Sequence, residues 1–191
     1  MRRFAPLALL IAFAACFPSD TPGDPYGVYA VVGTLRVNEC GQDAAPVQLP
    51  YQRVYELYRQ DTGVAQLMGS DGSVINGSIG KEGTFQFSSQ SAIRMIEPDE
   101  IFGIRGCDLV VALTIEGKAV RKKVSGEDEE EEYELEPLEG TLTTRFTPAP
   151  GSDCSELLYG SASGGRFHTL PCRVILDLEG EPVVEEALAG Q

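Results

Sequence analysis

The sequence predicts an all-β fold, an antiparallel meander closing into a small up-and-down barrel, and three observations predict it. The dominant hydrophobic period from Tyr26 onward is two rather than 3.6. Turn-forming pairs punctuate the chain at short intervals. No long amphipathic helix is present to make the crossover that parallel strands require.

Taken in order, Tyr29, Val31, Gly33, Leu35 and Val37 share one face of a first strand. Turns are expected at Asp61-Thr62-Gly63, Asp71-Gly72, Asn76-Gly77, Lys81-Glu82-Gly83 and Glu116-Gly117, where Gly and Asn tolerate positive φ. Phe85 and Phe87 alternate with Gln86 and Ser88. The run Leu109 to Ile115 is apolar on both faces and reads as a central strand, followed beyond Glu116-Gly117 by Ala119 to Val124. Leu138, Gly140, Leu142, Thr144 and Phe146 form one face of a later strand, and Val174, Leu176 and Leu178 one face of the last. Ser155 to Tyr159 suits a single helical turn. About eight or nine strands with short connections leave two solutions, a barrel or a two-sheet sandwich. The lipocalin-like barrel is favoured, closed by Tyr26–Val37 against Cys172–Leu178, because closure removes the exposed edges that promote aggregation.

Length and composition allow one domain with a real core: 191 residues, 42% apolar and 8% aromatic. The formal charge is −14, and without Arg2 and Arg3 the remaining 13 basic and 29 acidic groups give −16. Such a surface repels nucleic-acid phosphates and anionic headgroups alike.

The amino-terminal stretch has a different character. Arg2 and Arg3 precede an apolar run from Phe4 to Ala15 that is too short to span a bilayer and reads as a signal peptide, residues 1–15. Its end, Phe13-Ala14-Ala15-Cys16, resembles the lipobox of bacterial lipoproteins. The resemblance implies export, lipidation of Cys16 with acyl chains such as palmitate, and attachment to the cell envelope through the bilayer. Phe13 stands where that motif usually has Leu, and ordinary cleavage at Ala12-Phe13-Ala14 is the alternative. Phe17, in place of the Asp that retains enterobacterial lipoproteins at the inner membrane, favours the outer one. Residues 16–25, rich in Pro, Asp, Ser and Gly, read as the lipidated cysteine and a flexible tether ahead of a single β domain, 26–191.

Without Cys16, four cysteines remain, an even number for an oxidising compartment, and they lack zinc-site spacing. Three pairings are possible. Cys154 and Cys172 flank one Gly- and Ser-rich loop, so they are expected to pair, leaving Cys40 with Cys107. The strings Gly33-Thr34-Leu35, Asn38-Glu39-Cys40-Gly41, Gly106-Cys107, Ser152-Asp153-Cys154-Ser155 and Leu170-Pro171-Cys172 resemble those of small lipoproteins of myxobacterial type. That resemblance supports cysteines as structural staples and carries no activity with it.

Candidate chemistry is sparse. The acidic run Glu127 to Glu132 reads as a solvated loop between strands rather than a Ca²⁺ site, which spaces its ligands around a Gly turn. His168 is the single histidine, and no G-x-S-x-G elbow presents a nucleophile to it. Asn76-Gly77-Ser78 matches a glycosylation sequon but is read as a turn. Tyr51, Tyr55 and Tyr58 form an aromatic cluster that could pack along a strand, line a barrel mouth or make an interaction patch. No residue is assigned to catalysis, metal or cofactor. The expectation is a monomeric, non-enzymatic envelope lipoprotein binding a small apolar ligand in the barrel. The alternative is an envelope protein acting through its outer surface on a protein partner, with a hydrolase as a third reading.

Overall fold

The computed structural model describes residues 23–45, 48–101, 103, 105–124 and 132–183. The expected signal peptide, Cys16 and most of the acidic run lie outside the described residues. Ten strands are described: β1 (Asp24–Asn38), β2 (Tyr51–Arg59), β3 (Val64–Gly69), β4 (Val74–Ile79), β5 (Thr84–Ile96), β6 (Cys107–Lys118), β7 (Arg121–Val124), β8 (Glu132–Leu135), β9 (Leu138–Pro148) and β10 (Cys172–Pro182). Eight of them close a barrel in the order β1-β10-β9-β6-β5-β4-β3-β2, and β7 pairs with β8 in a separate hairpin. Every pairing is antiparallel.

Closure runs through the expected strands, with Gly33 opposite Leu178 and Leu35 opposite Leu176. β1 starts two residues before the expected boundary, since Asp24 and Pro25 already pair with Arg59 and Tyr58. The expected turns at Asp61-Thr62-Gly63, Asp71-Gly72 and Lys81-Glu82-Gly83 connect β2 through β5, and Gly72 takes a φ of 81°. Two other expected turns are strand interior. Asn76-Gly77 lies within β4, where a Cβ on Gly77 would sit 2.1 Å from the Gln86 carbonyl oxygen. Glu116-Gly117 lies within β6, where a Cβ on Gly117 would sit 2.2 Å from the Glu139 carbonyl oxygen. At both places glycine marks a close approach of two strands instead of a reversal. Ala119 to Val124 therefore does not follow a hairpin back along β6. It leaves the barrel as β7.

Alternation decides what is buried. Tyr29, Val31, Leu57, Leu67, Ile79, Phe85, Phe87, Ile115, Leu138 and Leu178 point inward and form one continuous core. They concentrate at the end of the barrel where β1 begins and β10 finishes. There Leu135 of the β7–β8 hairpin packs over Gly27, and the Tyr26 hydroxyl donates to the Ala119 carbonyl at 2.9 Å. Arg121 donates to the Pro25 carbonyl at 3.2 Å and lies 3.7 Å from the centre of the Tyr133 ring.

The barrel is closed, but its β4–β5 seam is short. β4 pairs with β5 only from Gly77 opposite Phe87 to Ile79 opposite Phe85. Beyond that point β5 continues to Ile96, held by β6 alone among the described residues. All eight residues from Ser88 to Met95 are exposed, including those that by alternation face inward. Within the closed barrel, this stretch of β5 is thus left unpaired on its β4 side among the described residues.

The cysteines sit at the end opposite the packed core. Cys40 bonds to Cys172 and Cys107 to Cys154, which replaces the expected pairs Cys154–Cys172 and Cys40–Cys107. Sheet order is the reason. β1 lies beside β10, so the ends of these strands bring Cys40 and Cys172 together. The segment after β9 crosses the start of β6, where Ser152 Oγ accepts from the Asp108 amide at 3.1 Å, and delivers Cys154 to Cys107.

A cavity at the stapled end

The inward faces of β2, β3, β4, β5, β6, β9 and β10 surround a cavity of about 980 Å³ in the stapled half of the barrel. Its floor and walls are apolar, formed by Leu113, Leu142, Phe146, Val174 and Leu176. Tyr51, Tyr55, Arg53, Asp71 and Ser73 supply polar groups, and Ala44, Ala45 and Gln48 of the β1–β2 connection complete the lining. Ser89 of β5 and Val74 and Ile75 of β4 also line it, so it reaches the wall where those two strands separate.

Tyr51 reaches inward because Gly33 lies directly opposite on β1, and a Cβ there would meet its ring at 2.8 Å. Tyr55 faces the same way four residues on, opposite Tyr29 and Gly69 on its two neighbours. The two phenol oxygens are hydrogen-bonded to each other. Burial pushes both phenols above their ordinary value. For Tyr51 the bond with Tyr55 and the Arg53 charge oppose the rise, whereas for Tyr55 the bond with Tyr51 adds to it. Either hydroxyl can donate in this bond, and the O–H that is not used there remains to be offered to a third group. The Arg53 guanidinium lies 5.5 Å from the centre of the Tyr51 ring. Asp71 is capped by Ser73, whose side chain and amide, the latter at 2.9 Å, hold the carboxyl below its usual range.

Tyr58 does not join this group. Two residues from Glu56, it shares the outer face of β2 and donates to that carboxylate at 2.8 Å. The expected cluster of Tyr51, Tyr55 and Tyr58 is divided by the strand's period of two, with two phenols inside and one outside.

The other sequence candidates lie apart from the cavity. The His168 amide donates to the Cys40 carbonyl at 2.9 Å, and its ring covers Gly41 and meets Tyr159 edge-on at 6.1 Å. Asn76 accepts from Gln66 at 3.1 Å across the β3–β4 pair. Among the described residues no three His, Cys, Asp or Glu side chains gather as a metal site would need. Sequence reasoning missed Arg53, Asp71 and the apolar wall of Leu113, Leu142 and Leu176 as one site. Arg53 is two residues from both Tyr51 and Tyr55, so its inward register was readable from the spacing.

Fold and cavity define an eight-stranded up-and-down barrel, packed at one end and hollow at the other. No family model, curated protein or solved structure matches the chain.

Proposed function

We propose that the protein is a non-enzymatic binding module of the cell envelope that holds a small, largely apolar ligand in the barrel cavity. The observation that carries this reading is the cavity: about 980 Å³, apolar walls, and a few polar groups at one side. An O–H of the Tyr51–Tyr55 pair and the Arg53 guanidinium would orient a polar end of the ligand while Leu113 and Phe146, the half-buried apolar lining residues, receive its apolar body. Its ionisable side chains do not suit acid–base chemistry at neutral pH. The tyrosines are pushed up and Asp71 is pushed down.

Export and lipidation on Cys16 belong to the same reading. Two disulfides favour an oxidising compartment, and the signal-like segment ends on the cysteine. No helix among the described residues is long and apolar enough to cross a membrane. Attachment at the outer membrane would then rest on acyl chains.

The test is the native mass of residues 19–191, exported to an oxidising periplasm without the anchor. An excess that disappears on denaturation, and binding of the apolar fluorophore N-phenyl-1-naphthylamine that Leu113→Trp abolishes, are expected. A bare mass together with no fluorophore binding by the folded protein would sink the proposal. The unpaired edge of β5 favours a second activity, at the outer surface.

A further inference from the structure

We infer that the edge of β5 left unpaired among the described residues is a docking site for an extended, basic polypeptide segment that adds to the barrel wall as a further strand. A strand held on one side only presents a row of unpaired N–H and C=O groups, which another strand satisfies. Continuing the β4–β5 register would place Asn76 opposite Ser88 and Ile75 opposite Ser89, but the pairing stops at Gly77 and Phe87. From Ser88 to Met95 the edge is eight residues, roughly 26 Å at the usual rise per residue.

Protein edges are normally blunted by proline, lysine, a bulge or an inward-pointing charge. Ser88-Ser89-Gln90-Ser91-Ala92-Ile93-Arg94-Met95 has no proline and no lysine, and its inward positions are Ser89, Ser91, Ile93 and Met95. Pairing with β6 runs without a register shift as far as Arg94. The one charged side chain, Arg94, is already engaged by Asp108 at 3.1 Å and Glu97 at 3.0 Å.

Side chains beside the edge specify the incomer. Ile93 and Met95, inward by alternation, are 39% and 40% exposed, so alternate residues of the added strand should be apolar on the inner face. The outer face of β5 carries Ser88, Gln90, Ala92 and Arg94, so the remaining residues should be polar. Charge selects between possible occupants. Two copies of a chain of formal charge −14 repel each other, whereas a basic segment is attracted.

The experiment uses the purified disulfide-bonded protein and hydrogen exchange followed residue by residue by NMR. The probe is the capped peptide Lys-Val-Thr-Val-Lys-Val-Thr-Val-Lys, with a second version carrying Glu for Lys and a third with a central proline. In the free protein, alternate amides of Ser88–Met95 that point away from β6 should exchange fast. The Lys peptide should slow them and bind about tenfold more tightly than the Glu peptide, and the proline version should not bind. Ser91→Lys should weaken binding by about tenfold. Thr62→Lys, carrying the same charge in the β2–β3 turn, should leave binding unchanged. Slow exchange at this edge in the free protein would overturn the inference, as would equal binding of the proline version. Protection that grows with protein concentration alone would overturn it too, by giving the edge to a second copy.

Discussion

At the end of the barrel where the chain enters and leaves, Leu57, Leu67, Ile79, Phe85 and Phe87 fill the interior, each no more than 2% exposed, and the β7–β8 hairpin lies across the opening. At the other end the interior is a cavity, and four cysteines, with Phe167, Leu109 and Val174, form a smaller cluster at its rim. One end is held by burial of apolar area, at about 25 cal/mol per Å². The other has given up part of that burial to the cavity, and covalent links restrain its loops. A hollow site and a packed core compete for the same inward positions, and the disulfides are placed where the core is missing.

The largest effect should come from the staples. Replacing Cys40 and Cys172 by Ala opens a loop of sequence separation 132, and replacing Cys107 and Cys154 one of 47. In the chain-entropy account these cost about 5 and about 4 kcal/mol respectively, read as denaturant midpoints under non-reducing conditions. Losses below about 1 kcal/mol for both pairs would break the comparison, because the packed end would then hold the barrel by itself.

Next in size are truncations at the two ends. Phe87→Ala, at a fully buried position, should cost about 3–5 kcal/mol. Leu113→Ala, on the cavity wall, leaves less new void and should cost about 1–2 kcal/mol. Equal losses in chemical denaturation would mean that the cavity is filled by packing in solution.

The smallest effect at neutral pH belongs to Tyr29→Phe. The Tyr29 hydroxyl is buried without a hydrogen-bond partner among the described residues, and burial chiefly, with Tyr26, pushes the phenol up from 10.0 to about 12. Below pH 10 it is protonated in both folded and unfolded chains. Between pH 10 and 12 the unfolded chain releases a proton that the folded one retains, so stability falls as pH rises, by about 2–3 kcal/mol. Tyr29→Phe should remove that part of the alkaline decline and raise stability near neutral pH by about 1 kcal/mol, both measured by urea unfolding. The raised phenols of Tyr51 and Tyr55 act in the same direction and keep a remaining slope.

Much of this fold was legible because strand alternation is a local signal. Phe85 and Phe87, Val174 and Leu178, and the partnership of the first and last strands follow from a period of two. What was not legible depended on pairs distant in sequence. Gly77 and Gly117 carry turn-like dipeptides, and only the carbonyls of Gln86 and Glu139 pressing on them show why glycine is there. The cysteine pairs needed sheet order, since Cys154 and Cys172 are close in sequence while Cys40 and Cys172 are close in space. Of the cavity, Tyr51 and Tyr55 were visible as aromatics, but Leu113, Leu142 and Leu176 come from three strands that are distant in sequence and meet only by pairing side by side in the sheet. The free edge of β5 was invisible for a related reason: it exists because β4 is six residues and β5 thirteen.

The cysteine pairs are also nested, Cys107–Cys154 lying wholly inside the span from Cys40 to Cys172. As a covalent graph the chain is a ring within a ring, with two short open ends. A protease that cuts once anywhere between Cys40 and Cys172 releases no fragment, and a cut in the acidic run between β7 and β8 is bridged twice. Clipped and intact molecules then share one mass but for a water, and separate only after reduction. Such a chain can be nicked once between Cys40 and Cys172 and still keep its pieces together.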